Sequence, residues 1–286
     1  MGHDSEKPQK ITSEQFRVAP QATVRLAKRE SDDVPAYLDK ESARRKLEDL
    51  KEHSSALQNQ MYAENRQSLL VVFQALDAGG KDGTIRKVMT GFNPQGCKVH
   101  TFKKPTEREL EHDFLWRIHQ ACPPRGEISV FNRSHYEDVL VVRVHQLVPK
   151  TTWSARYEII NDFESLLHRQ GTQVLKFFLH ISPEEQLKRF EKRLHKPHKR
   201  WKISESDYSE RQYWDQYQAA FEDVFHYCSP SHAPWYIIPA DTKWYRDLVV
   251  ATIINEKLQS MDFQMPQPSV DLDEIRRLYH QAKQDS

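Results

Sequence analysis

Residues 69–84 read Leu-Leu-Val-Val-Phe-Gln-Ala-Leu-Asp-Ala-Gly-Gly-Lys-Asp-Gly-Thr. The apolar, β-branched run 69–73 predicts a buried strand. A glycine-rich turn follows at 78–80, then Lys81, then Asp82-Gly83-Thr84-Ile85-Arg86-Lys87, a segment suited to opening a helix. Strand, Gly-Lys turn and helix in that order form the context of a P-loop, in which backbone N–H groups and a helix N-terminus surround an anionic phosphate. Lys81 would bring a mobile point charge to the same phosphate.

The match departs from a nucleoside-triphosphate loop at two places. Counting back from Lys81, the first glycine of G-x-x-x-x-G-K-[ST] falls on Ala75, and the Ser/Thr that holds magnesium falls on Asp82. Asp77 lies inside the loop, where a carboxylate repels bound phosphate unless a metal ion separates them. Asp77 therefore reads as a magnesium ligand. The bland alternative is a strand-turn-helix corner that uses glycine only for its backbone freedom.

The chain has 286 residues, enough for one large α/β domain or two small ones. Lys+Arg 42 against Asp+Glu 41 leaves a net charge of +1, so no global field favours nucleic acid or a membrane surface. Any anion site must come from local clustering. Cys97, Cys122 and Cys228 match neither a zinc site nor a disulfide framework and read as reduced thiols. The polar N-terminus and the lack of a long apolar run predict a soluble, unexported, cytoplasmic protein.

Residues 1–34 mix charge, proline and polar groups without period and predict an arm that wraps the domain or is partly disordered. An amphipathic helix over about 37–66, carrying Leu38, Leu47, Leu50, Leu57 and Met61, feeds the first strand. A second strand is expected at 97–102, and a capping box at Thr106 and Glu109 starts a helix that carries Phe114, Leu115 and Ile118. A third strand, 127–131, ends in Asn132-Arg133-Ser134-His135-Tyr136-Glu137-Asp138, placed to face the P-loop because open α/β sheets bind ligands at strand carboxyl ends. Further expectations are a helix at 153–169, a strand at 174–181, a helix capped by Ser182-Pro183-Glu184-Glu185, a helix at 206–227, a strand at 235–238 and a helix at 243–258. Residues 261–286 read as a tail with a terminal helix at 272–282. The alternation predicts one parallel five-stranded sheet with helices on both faces, domain 35–260.

Between 188 and 202 lie Lys188, Arg189, Lys192, Arg193, Lys196, Lys199, Arg200 and Lys202 against the single acid Glu191. An isolated charge run is by default a solvated face or a nucleic-acid patch. Its position after the fourth strand, where a kinase carries its lid, favours a lid over about 188–206. Arg133 and Glu137 read either as a structural ion pair or as part of the site. His135, His145, His195 and His198 form no metal-ligand spacing and read as surface or packing residues. Phosphoryl transfer needs positioning and charge neutralisation above all, and a phosphate acceptor needs no general base.

Taken together, Asp77-Ala78-Gly79-Gly80-Lys81-Asp82-Gly83-Thr84-Ile85, the strand end 131–138 and the lid Lys199-Arg200-Trp201-Lys202-Ile203-Ser204 with Asp207 and Trp214-Asp215 resemble the polyphosphate kinase 2 family over about 35–260. The resemblance implies a fold similar to thymidylate kinases with a helical lid. It implies transfer between inorganic polyphosphate and ADP or AMP, with GDP and GMP as further acceptors, by a homotetramer built from dimers. Magnesium, or manganese in its place, would be the cofactor, and neither nucleic acid nor membrane a partner. It further implies catalytic roles for Asp77, Lys81, Arg133, Glu137 and Arg193, with Asp77 and Glu137 on the metal side and Arg133 on the acceptor's phosphate. Substrate contacts would come from Gly79, Gly80, Asp82, Gly83, Thr84, Lys87, Asn132, Ser134, Lys199, Arg200 and Lys202. The family more often has aspartate where this chain has Asn132, which leaves the metal-ligand set and the choice between AMP and ADP open; the overall pattern resembles the class accepting both. An ATP-dependent nucleoside monophosphate kinase of the thymidylate kinase type is the rival reading, and Ala75 and Asp82 speak against it. A non-enzymatic polyanion binder would leave Asp77 unexplained.

Overall fold

Chain order and the backbone's hydrogen-bonding demands build the molecule outward from one sheet. The computed structural model describes residues 10–284. Its elements are α1 (Lys40–Glu64), β1 (Ser68–Gln74), α2 (Lys81–Val88), β2 (Cys97–Thr101), α3 (Glu107–Leu110), α4 (Trp116–His119), β3 (Ile128–Asn132), α5 (Glu137–Val144), α6 (Lys150–Arg169), β4 (Thr172–His180), α7 (Pro183–His195), α8 (Glu205–Glu210), α9 (Trp214–Tyr227), β5 (Trp235–Pro239), α10 (Lys243–Ser260) and α11 (Leu272–Gln284). The five strands pair in parallel in the order β2-β3-β1-β4-β5. Phe73 of β1 stands opposite Asn132 of β3 on one side and Phe177 of β4 on the other. Parallel pairing puts every strand's carboxyl end on one edge of the sheet, so the loops after β1 and β3 are neighbours.

The period-2 alternation of a strand decides which face each side chain feeds. Leu69, Val71, Phe73, Leu175, Phe177 and Leu179 join one buried cluster with residues of α1, α2 and α10. Leu70, Val72, Val174 and Phe178 join the other, with residues of α5, α6 and α9. Both faces of the central strands are thus covered, which is why β1 is buried at all seven positions.

The N-terminal arm packs on the domain where it is described. Ile237 donates to the carbonyl of Phe16 at 2.9 Å and Val18 to that of Trp235 at 2.9 Å, so the arm covers the open edge of β5. Residues 1–9, part of the predicted arm, lie outside the described residues, as do residues 285–286 of the tail.

Three elements differ from expectation. The helix expected after Thr106 breaks into α3 and α4, because the Asp113 carboxylate accepts from the Leu115 N–H at 2.9 Å and starts a new turn. The helix at 206–227 is divided by a 3-10 turn at Arg211–Tyr213. Helix α5, not foreseen, begins inside the strand-end motif. Helix α11 carries exposed Leu272, Ile275, Leu278 and Tyr279. No helix of the described residues is long and apolar enough to cross a membrane.

Candidate active site

The loop after β1 turns sharply. Ala78 has φ 57° and Gly80 φ 101°, and a Cβ on Gly80 would lie 2.2 Å from Nη1 of Arg246. Glycine at 80 is therefore required by backbone conformation, and a Cβ there would also displace the Arg246 guanidinium. Gly80 is the N-cap of α2, and Thr84 is the first residue of the turn whose N–H closes back, 3.0 Å to the Gly80 carbonyl. The amides of Lys81, Asp82 and Gly83, in the first turn, have no intrahelical partner, and all three residues line the larger cleft. Lys81 reaches back 3.0 Å to the carbonyl of Ala75. Burial, the largest effect, and the nearby Arg133 push its ammonium pKa down, against the opposing pull of Asp77, Glu137 and Asp82.

The loop after β3 meets this turn. Arg133 has φ 64°, a left-handed conformation held by its own N–H, 3.1 Å from the Phe73 carbonyl, and by Gln74, which donates to Ser134 Oγ at 3.1 Å. Its guanidinium then lies 3.3 Å from Asp77 and 3.3 Å from Glu137. The three predicted residues are together, and Glu137, Asp77 and their hydrogen bonds keep the guanidinium firmly charged against its burial. Asn132 is turned toward α2, donating 2.9 Å to Asp82, whose other oxygen holds Lys202 of the lid at 2.6 Å. Burial alone would raise the Asp82 pKa, but these two hydrogen bonds hold it below the ordinary carboxylate value.

Two cavities flank the Asp77–Arg133 pair. The larger, about 870 Å³, has eleven Lys/Arg and three Asp among its lining residues, including Lys81, Lys87, Arg193, Lys199 and Lys202. Arg193 is fixed by Asp207 at 3.0 Å and Lys87 by Glu48 at 3.0 Å. The smaller, about 260 Å³, has aromatic and apolar walls of Trp214, Tyr217, Phe221 and Leu140, and contains Glu137, His145, Glu210 and Arg211.

Other expected contacts are absent from both cavity walls. Thr84 is buried and gives its hydroxyl to the Gly80 carbonyl; Ser134 is buried and serves the loop; Arg200 bonds the Leu194 carbonyl on the outside of the lid. The sequence counted Arg189 only as one cation of the basic run. It is instead buried, bonded to Glu185 and to the carbonyls of Ala78, Ala240 and Asp241, so that it clamps the P-loop to the end of β5. Its i,i+4 spacing from Glu185 was the available signal. Lys243 and Arg246 in the larger cleft, and Gln186, which holds the Asp77 carbonyl at 2.8 Å, gave no signal.

Of the histidines read as surface or packing residues, His135 and His145 both pack, His145 with its side chain 25% exposed. His135 is fully buried, 3.2 Å from Glu164, which also accepts from Tyr136 at 2.8 Å and from Lys176 at 2.5 Å. Lys176 further donates to Tyr136 Oη at 2.9 Å and to the Cys228 carbonyl at 2.8 Å. This network anchors the root of the loop that presents Arg133 and Glu137.

A glycine-rich turn opening a helix at the carboxyl end of β1, an arginine just after β3 and a basic segment after α7, on a five-stranded parallel sheet, are the arrangement of a P-loop-type phosphotransferase. The chain belongs to the polyphosphate kinase 2 family, whose model, described as Polyphosphate kinase 2 (PPK2), matches residues 37–266. It is 48% identical over 261 residues to the AMP/ADP-polyphosphate phosphotransferase of Meiothermus ruber, covering 91% of this chain and 98% of that one. It is 46% identical over 270 residues to the ADP-polyphosphate phosphotransferase of Rhodopseudomonas palustris, covering 90% and 93%. The crystal structure of polyphosphate kinase 2 from Arthrobacter aurescens TC1 superposes with a TM-score of 0.91 at 37% identity, covering 95% of this chain and 97% of that one.

Proposed function

We propose that the protein transfers the terminal phosphoryl group of inorganic polyphosphate to ADP, giving ATP, and to AMP, giving ADP, reversibly. The observation that carries this reading is the pair of unlike cavities meeting at Asp77 and Arg133. The cationic cleft suits a long polyanion, whereas Glu210 and Glu137 in the smaller cavity oppose one. The uncharged base and sugar of a nucleotide suit its aromatic walls, with the acceptor phosphate on Arg133 between the two. Lys81 and the free amides of α2 neutralise charge on the transferring phosphoryl. The printed names of the Meiothermus and Rhodopseudomonas relatives support the two acceptors; GDP and GMP are the next candidates.

Magnesium, or manganese in its place, would be held by Asp77 and Glu137, the two carboxylates that here bond Arg133, each at 3.3 Å. Among the described residues no group of three or more His, Cys, Asp or Glu converges to cage an ion. Two carboxylates whose shell is completed by water and phosphate oxygens are the way Mg²⁺ is held in phosphoryl-transfer sites. When bound, the ion neutralises charge on the phosphate chain and separates it from Asp77. The free thiols Cys97, Cys122 and Cys228 suit a reducing cytoplasm, and a dimer of dimers is the assembly we expect.

The test supplies purified protein with Mg²⁺, long-chain polyphosphate and ADP, with no other donor. ATP should form, chelation should stop it, and Asp77→Asn or Lys81→Ala should lower turnover by about a hundredfold. Transfer from ATP to a monophosphate, with none from polyphosphate, would instead establish the monophosphate kinase.

A further inference from the structure

The smaller cavity contains a polar cluster with one valence left over. Nε2 of His145 lies 3.1 Å from Oε2 of Glu210, and the Tyr217 hydroxyl donates to the same oxygen at 3.1 Å. Tyr217 and His145 are themselves 3.3 Å apart. Oε2 is thereby saturated, while Oε1 of Glu210 makes no hydrogen bond among the described residues. All three side chains line the cavity, in the company of Trp214 and Phe221. The remaining titratable groups facing it are Asp77, Arg133, Glu137 and Arg211, and Arg211 is engaged with Gln186 and the Pro183 carbonyl.

An ionised carboxylate only accepts hydrogen bonds. One free, fixed oxygen between aromatic walls matches one donor on a flat, uncharged ring. Guanine carries a carbonyl oxygen at C6, an acceptor that a carboxylate oxygen repels. Adenine presents one amino group, at C6, and needs a single oxygen. We infer that Oε1 of Glu210 accepts from the 6-amino group of the acceptor's adenine, with His145 and Tyr217 as the positioning residues that occupy Oε2, a placement that selects adenine over guanine. This rests on the assignment of the smaller cavity to the nucleotide. The cluster also orients the ligand, because Glu210 repels phosphate toward Arg133.

Equilibrium binding by calorimetry, without polyphosphate, tests this separately from phosphoryl transfer. The ligands are ADP and the diphosphate of purine riboside, which is ADP without its 6-amino group. Wild type should bind ADP about tenfold or more tightly, the size of a lost hydrogen bond to a charged partner. In Glu210→Ala the two ligands should bind within about twofold of each other, and Glu210→Gln, whose amide oxygen still accepts, should restore part of the preference. Equal binding of both ligands by wild type would overturn the inference. So would an equal loss for both in Glu210→Ala, which would leave Glu210 only a support for His145 and Tyr217. A preference for ADP that survives in wild type while polyphosphate transfer fails would uphold this inference and overturn the proposed reaction.

Discussion

Lys176 is a charged residue in the middle of a central strand, fully buried, and only its partners offset the cost of taking its charge out of water. Glu164 supplies the opposite charge, and Tyr136 and the Cys228 carbonyl take the remaining protons. Burial would raise the Glu164 pKa, but Lys176 and His135 hold it below the ordinary value. Replacing Glu164 by Gln strands the lysine, and urea unfolding should show a loss of about 3–5 kcal/mol. The double replacement Lys176→Met with Glu164→Leu should recover part of that stability. Its kcat should nevertheless stay down by about tenfold, because the loop carrying Arg133 and Glu137 has lost its anchor; a recovered kcat would make the network a matter of packing alone. Asp138, one residue beyond Glu137, behaves oppositely to most carboxyls. Burial, the largest effect, lifts it from 3.8 to about 6 despite Arg156 and Arg117. Between these values the unfolded chain has released a proton that the native protein keeps, so Asp138 lowers the free energy of unfolding as pH rises from about 4 to 6. Relative to wild type, Asp138→Asn should therefore gain up to about 3 kcal/mol across that window, read by urea melts at stepped pH, and a parallel pair of curves would refute the raised value.

At the scale of elements, the cations of the segment proposed as a lid divide between the larger cleft and the scaffold. Lys199 and Lys202 line the cleft, with Lys202 held on Asp82 at 2.6 Å, whereas Arg200 bonds back to Leu194 at 3.0 Å. Removal of Lys199 and Lys202 together should raise the KM for polyphosphate about tenfold with little effect on the melting temperature, since exposed ion pairs contribute little. Arg200→Ala should change that KM less than twofold; a large effect would place the arginine in the cleft after all. The strands and the P-loop were legible because a buried run of β-branched residues ending in glycines has few other readings. Helix α5 was not, because its first residues, Glu137 and Asp138, also belong to the strand-end motif and its eight residues are too few for a period to emerge. The clamp made by Arg189 was not legible, because a charge run records how many cations are present, not that β5 ends beside one of them. The Glu164–Lys176 pair was invisible for the same reason: one residue comes from a helix and one from a strand, and only the crossover between α6 and β4 brings them together. Sequence thus reveals what is periodic or contiguous, and the smaller cavity, assembled from α5, α8 and α9, is neither.

The whole molecule carries a net charge of +1, yet its larger cleft carries eleven Lys/Arg against three Asp, so the field is strong locally and nearly absent at long range. Compensating acids must therefore lie elsewhere on the surface, and under the proposed division of the cavities salt should act on the two substrates differently. On the proposed assignment polyphosphate would enter the cationic cleft and displace counterions from both partners, a release that added salt opposes. On the same assignment the nucleotide's base and sugar would enter the smaller cavity by apolar contact and one hydrogen bond, and only its short phosphate chain would meet Arg133. Raising KCl from about 50 to 300 mM spans the range over which the Debye length falls from roughly 14 to 6 Å, enough to screen all but adjacent charges. Over that range the KM for polyphosphate should rise by about tenfold or more, while the KM for ADP at saturating polyphosphate should rise less than threefold. Steady-state kinetics at constant free Mg²⁺ separate the two. Equal salt dependence would mean that both substrates share the cationic cleft, and the division of labour between the two cavities would have to be abandoned.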